Sequence, residues 1–143
     1  PPKVLGMADR VLMIRALHNL NRFEKQAGTR TQALSAVRDM LKDGGLVGVV
    51  QHRAPESASD EWADGSRGYL KQSAVIAMFE EAGFQLVARS EINANPKDQP
   101  GEDDIVWRLP PSLRTSQDNP ELREAMLAIG ESDRMTLLFR KSR

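Results

Sequence analysis

The order of apolar patterns along the chain predicts an α/β fold. Two short, nearly continuous apolar runs, Arg10-Val11-Leu12-Met13-Ile14 and Leu46-Val47-Gly48-Val49-Val50, read as strands with both faces covered, the pattern of a parallel sheet. Between them lies a segment with helical spacing that stops at Gly44-Gly45. Strand, helix and strand in that order make a βαβ unit, whose crossover is expected to be right-handed. The length, 143 residues, suits a single domain over 1–143.

Each element has its own signal. After the first run, Asn19 to Gly28 is polar and reads as a loop, or a loop holding a helical turn. Thr29 or Thr31 then serves as a helix cap, and Ala33, Leu34, Val37, Met40 and Leu41 follow at helical spacing. Lys42-Asp43-Gly44-Gly45 supplies the stop, since glycine takes the left-handed conformation that ends a helix. Residues 54–66 are small, polar and acidic around Trp62 and read as a surface loop. A second helix spans Lys71 to Ala82, with Val75, Met78, Phe79 and Ala82 as its apolar stripe and Gly83 as its end. Phe84 to Ile92 is a third strand. Residues 93–118 form a long irregular stretch, pinned by Trp107, Leu109, Pro110 and Pro111. Pro120 opens a helix that runs to Ile129, and Met135 to Phe139 is the last strand.

Composition excludes several classes. Twenty basic and twenty acidic side chains cancel, so there is no electrostatic footprint for nucleic acid and none for a membrane surface. With no cysteine, disulfides, thiolate nucleophiles and zinc–thiolate sites are all absent. The acidic stretch from Glu56 to Asp64 contains no histidine, and no metal site is expected there. No apolar run nears the roughly 20 residues a bilayer requires, and Pro1-Pro2-Lys3-Val4-Leu5 has no signal-peptide design. A cytoplasmic location is the expectation. No Gly-x-Ser-x-Gly elbow marks a hydrolase.

Two motifs carry a resemblance. Leu41-Lys42-Asp43-Gly44-Gly45-Leu46 resembles the lead into the fifth strand of the class I S-adenosylmethionine-dependent methyltransferase fold, and Glu81-Ala82-Gly83-Phe84 resembles the end of its penultimate helix. Further segments extend the resemblance to nearly the whole chain and to a bacterial family of methyltransferases. They are Leu17-His18-Asn19, Val50-Gln51-His52-Arg53, Gly68-Tyr69, the run from Glu91 to Asp98, the run from Trp107 to Pro111, and the run from Gly130 to Met135. That family's typical glutamate before the His-Arg pair stands here as Gln51.

The resemblance implies a partial Rossmann-like sheet made of strands four to seven of the class I fold. The last strand would be antiparallel and inserted between the second and third, giving the spatial order first, second, fourth, third. It also implies the C-terminal half of such an enzyme, because neither the glycine-rich cofactor turn nor the carboxylate that holds the ribose occurs in these residues. The implied activity is methyl transfer from S-adenosylmethionine to a small-molecule acceptor in the complete enzyme, with this chain alone inactive and binding the cofactor weakly.

Ligands of open α/β sheets sit at the carboxyl ends of the strands. That rule places Arg15, His18 and Asn19 after the first strand on the pocket wall, with Arg15 and His18 on the cofactor side. His52 and Arg53 follow the second strand. His18 and His52 are the only histidines in the chain and the candidates for general base, because an imidazole titrates near neutrality. Arg53, Asn19, Tyr69 and Asn95 are candidate substrate contacts; alternatively, Tyr69 anchors its loop and the Asn-rich turn at 93–98 is structural. The outer edge of the first strand would be bare in this chain, and a bare apolar edge needs a cover. Self-association through that edge, or a preceding N-terminal segment, is expected to supply it. The alternative function is a non-catalytic α/β module that dimerises there.

Overall fold

The computed structural model describes residues 4–143, so Pro1, Pro2 and Lys3 of the segment read for a leader lie outside the described residues. Strand β1 (Ala8–Ile14) leads into two short helices, α1 (Leu17–Asn21) and α2 (Glu24–Ala27), where the sequence reads as a loop or a single helical turn. Helix α3 (Thr29–Met40) buries Leu34 and Val37. Neither threonine caps it. Gly28 holds the cap position at φ 60, a left-handed conformation open to glycine at little cost, and Thr31 instead bonds the Glu24 carboxylate.

Strand β2 (Leu41–Ala54) begins directly after α3. The helix therefore stops before Gly44-Gly45, not at it. Ala8 pairs with Leu41 and Arg10 with Leu46, so residues 42–45 bulge opposite Asp9 alone, with Gly44 at φ 71. A short strand β3 (Leu70–Lys71) continues into helix α4 (Gln72–Glu81), which buries Val75, Met78 and Phe79. Strand β4 (Phe84–Ser90), helix α5 (Pro120–Ile129) and strand β5 (Arg134–Lys141) complete the order. Asn119 caps α5 by accepting from the Leu122 N–H, and Pro120 follows at the first turn.

The sheet runs β1-β2-β5-β4, with β1 parallel to β2 and β5 antiparallel to both neighbours, and β3 pairs with the end of β2. The α/β class, the strand order and the reversed last strand all match the expectation. The expected double burial of the first strand does not. Strand side chains alternate between faces, and α3 and α4 pack against one face only. There Met13, Val47, Val49, Leu137 and Phe139 join Leu34, Val37, Val75 and Phe79 in the core, with the Phe79 and Phe139 rings stacked 4.2 Å apart. On the other face Leu12 is 69% exposed and Ile14 54%. Among the described residues no helix is long and apolar enough to cross a membrane.

A smaller cluster forms beneath the loops. Ala54, Ala63, Tyr69 and Val106 pack together with Trp62 and Trp107 against them. It fixes the long 91–119 connection over the carboxyl end of the sheet, where the candidate site lies.

Candidate functional site

At the carboxyl ends of β1 and β2 the surface opens into a cleft of about 390 Å³, a size that suits a small molecule. Arg15, His18 and Asn19 enter it after β1, and His52 after Val50 on β2. Ser132 lies just before β5 and Arg134 opens it, while Trp107 and Arg114 come from the long connection. The two imidazoles lie side by side with centroids 5.3 Å apart, and the Trp107 ring meets His18 edge-on at 6.0 Å. Gly65 admits the loop against His18: a Cβ there would stand 2.4 Å from the His18 carbonyl oxygen.

Gln51 sets the state of His18. Its side chain is fully buried, and its Nε2 donates to the carbonyls of Gly68 (2.9 Å) and His52 (3.2 Å). Those carbonyls accept only, which fixes the amide orientation and turns Oε1 toward His18. Oε1 then accepts from the His18 backbone N–H (3.1 Å) and lies 3.2 Å from Nδ1. An amide oxygen cannot donate, so Nδ1 carries the proton and Nε2 keeps its lone pair. Burial lowers the His18 pKa below the usual 6.5, partly offset by the Gln51 hydrogen bond.

His52 is set differently. Its Nδ1 lies 2.5 Å from Ser132 Oγ, which also accepts from Arg134 Nε at 3.1 Å. Burial, and after it the neighbouring His18, Arg134 and Arg15, push the His52 pKa down to about 3. Both imidazoles are therefore shifted toward their neutral forms, and both are neutral at pH 7.

Three candidates from the sequence lie outside the cleft, with their polar atoms committed inside the fold. Tyr69 is fully buried; its hydroxyl donates to Asp98 (3.0 Å) and accepts from Arg108 (2.8 Å). Arg53 forks onto Asp133 and Glu91 and also reaches Gln72. Asn95 Nδ2 donates to the carbonyls of Ile129 and Glu131, and its Oδ1 accepts from Lys97 N–H. In this arrangement Tyr69 ties its loop to Asp98 and Arg108, Arg53 joins the end of β2 to the β4–β5 connection, and Asn95 joins two stretches of that connection. Arg114, Ser132 and Arg134 enter the cleft with no local sequence signal pointing there, and Gln51 stands out in the sequence only as a departure from a family pattern.

No protein-family model matches the chain, and no curated protein matches it in sequence. Solved structures do match in fold. The [4+2]-cyclase SpnF superposes with a TM-score of 0.60 at 16% identity, over 99% of this chain and 52% of its own. An S-adenosylmethionine-dependent methyltransferase of Methanosarcina mazei gives 0.57 at 8% identity, over 96% and 61%. The fold is that of the class I methyltransferases. A third neighbour is the Burkholderia thailandensis 1,6-didemethyltoxoflavin-N1-methyltransferase with bound 1,6-didemethyltoxoflavin and S-adenosylhomocysteine. It gives 0.52 at 10% identity, over 97% of this chain and 46% of its own. The chain thus spans about half the length of the first and third of these structures.

Among the described residues no aspartate or glutamate lines the cleft to hold a ribose diol as a carboxylate does. Its polar side chains are three guanidiniums, two imidazoles, Asn19, Ser112 and Ser132, with the Trp107 indole beside them.

Proposed function

We propose that the chain supplies the acceptor side of an S-adenosylmethionine-dependent methyl-transfer site. The observation that carries this reading is the His18 imidazole, held as the Nδ1–H tautomer by a buried amide, at the strand ends of a methyltransferase fold. S-adenosylmethionine, when bound, supplies an electrophilic methyl group. The chain's own residues position a small acceptor and prepare its nucleophile. His18 Nε2 takes the proton from an acceptor hydroxyl or amine, as a general base whose neutral form is present at pH 7. His52, bonded through Nδ1 to Ser132, forms a hydrogen-bonding wall beside it.

Fold alone does not select this chemistry, since one neighbour is a cyclase. The test is release of S-adenosylhomocysteine by the full-length protein across a panel of small acceptors. His18→Gln is expected to cut kcat by about 10²-fold or more, the usual share of a general base, with little change in acceptor KM. A variant that turns over at the parent rate would remove His18 from the chemistry.

A second reading rests on the exposed Leu12 and Ile14. In it, the uncovered face and edge of β1 dock a second copy of the chain or a preceding segment, as contiguous exposed apolar side chains do at interfaces. Leu12→Glu is expected to shift the sedimentation mass to that of the monomer if a second copy covers the face. An unchanged monomer in both proteins would exclude self-association.

A further inference from the structure

We infer that the cleft takes an anionic acceptor: a small, flat molecule whose carboxylate or phosphate is held among Arg15, Arg114 and Arg134. The inference rests on reading the cleft as an acceptor site and gives that acceptor its chemical class.

The chain is neutral overall, yet its charges are not evenly spread. Three guanidiniums line one cleft, and no carboxylate among the described residues lines it with them. Arg15 and Arg114 form no ion pair among the described residues. Arg134 has one carboxylate partner, Glu131 at 2.8 Å, whose side chain is 64% exposed. Arg53 and Arg108, by contrast, each meet carboxylates: Arg53 meets Asp133 and Glu91, and the buried Arg108 meets Asp98. Like charges brought together without a counter-ion raise the local potential and favour an incoming anion. Burial first and then His18 lower the His52 pKa, and Arg134 and Arg15 add to it in the direction a positive cleft gives.

Geometry adds to the charge. Arg15 has φ 54, a left-handed conformation for a non-glycine residue, while its N–H still donates to Val50 at 2.7 Å. Such backbone strain collects at binding sites, where the surrounding structure holds it. The Arg114 guanidinium stacks over the Trp107 ring at 5.1 Å. A stacked guanidinium keeps its edge N–H groups available for the fork that matches a carboxylate or phosphate. The indole edge and the prolines behind it form an apolar wall for a flat body. Together these form an anion clamp beside the lone pair of His18.

The probes are benzoate, phenyl phosphate, neutral benzamide and cationic benzylamine, titrated into the full-length protein without S-adenosylmethionine. The readout is the imidazole and indole signals of His18, His52 and Trp107. Benzoate or phenyl phosphate should shift these signals saturably, and added salt should weaken the binding. The tighter of the two shows which anionic group the acceptor carries. Arg15→Gln and Arg114→Gln, both at exposed side chains, should each weaken the anion by about tenfold. Lys42→Gln, at the far end of β2, should leave it unchanged. Benzamide binding as tightly as benzoate, no binding by any probe, or arginine variants equal to the parent would each overturn the inference. Anion binding without methyl transfer would sink the function and spare the clamp. Turnover of neutral acceptors without anion binding would do the reverse.

Discussion

Two buried polar clusters lie on either side of the same loops, and they differ in one respect. Asp98 and Arg108 are 6% and 5% exposed; His18 and His52 are 4% and 8% exposed. Burial therefore does not separate them. The first cluster is balanced: Asp98 accepts from Tyr69, Arg108 and the Asp133 N–H, and Arg108 has Asp98 at 2.9 Å. The second is not. Its imidazoles are kept neutral beside guanidiniums that lack a counter-ion within the cleft. A buried group whose partners are all present holds a fold together, whereas one surrounded by charge of a single sign awaits a ligand.

The largest expected effect breaks the balanced cluster. Asp98→Ala leaves the Arg108 guanidinium buried and unpaired and takes an acceptor from the Tyr69 hydroxyl. Removing one partner of a buried pair costs about 3–5 kcal/mol, and denaturant unfolding measures it. Replacing both partners, Asp98→Leu with Arg108→Met, should recover part of the loss, because no charge is then stranded. An Asp98→Ala protein within about 1 kcal/mol of the parent, inside the range of a single neutral hydrogen bond, would mean that the cluster does not anchor the long connection.

The balanced cluster was harder to see in the sequence than the unbalanced one. His18 and His52 each follow an apolar run, so local pattern places both at strand ends, and the sheet order brings them together. Tyr69, Asp98 and Arg108 lie 29 and 39 residues apart along irregular chain, where no periodicity reports a contact. Ser132 and Arg134 reach His52 only because β5 reverses beside β2, pairing His52 with Arg134. That pairing follows from the strand order, but a side-chain bond across 80 residues has no local signature. The same limit explains the helix ends. Pro120 and Gly83 act through their immediate neighbours and fall where expected. Gly44-Gly45 answers to the register between β1 and β2 and forms a bulge instead of a helix cap. The exposed Leu12 and Ile14 show the limit in reverse, since an apolar run reports a need for cover and not its source.

Acid and alkali should separate the two clusters by opposite slopes, and this is the smaller effect. His52 is held at about 3 in the folded protein, against 6.5 for a free imidazole. Below pH 6.5 the unfolded chain binds a proton there that the folded chain does not, so stability rises with pH through this window and falls on acidification. For His52 alone the loss is about 2 kcal/mol between pH 7 and pH 5, and His18, lowered mainly by burial, adds to it in the same direction. Tyr69 has the opposite sign. Burial first, and then the Asp98 carboxylate, raises the phenol above 10. Above pH 10 the unfolded chain releases a proton that the folded chain keeps, and stability falls as pH rises. Unfolding free energies from pH 5 to pH 7 should therefore flatten in His52→Gln, while the fall beyond pH 10 persists in that variant and is lost in Tyr69→Phe. If His52→Gln keeps the parent's acid slope, the imidazole is not held neutral, and the guanidiniums around the cleft already have their counter-ion.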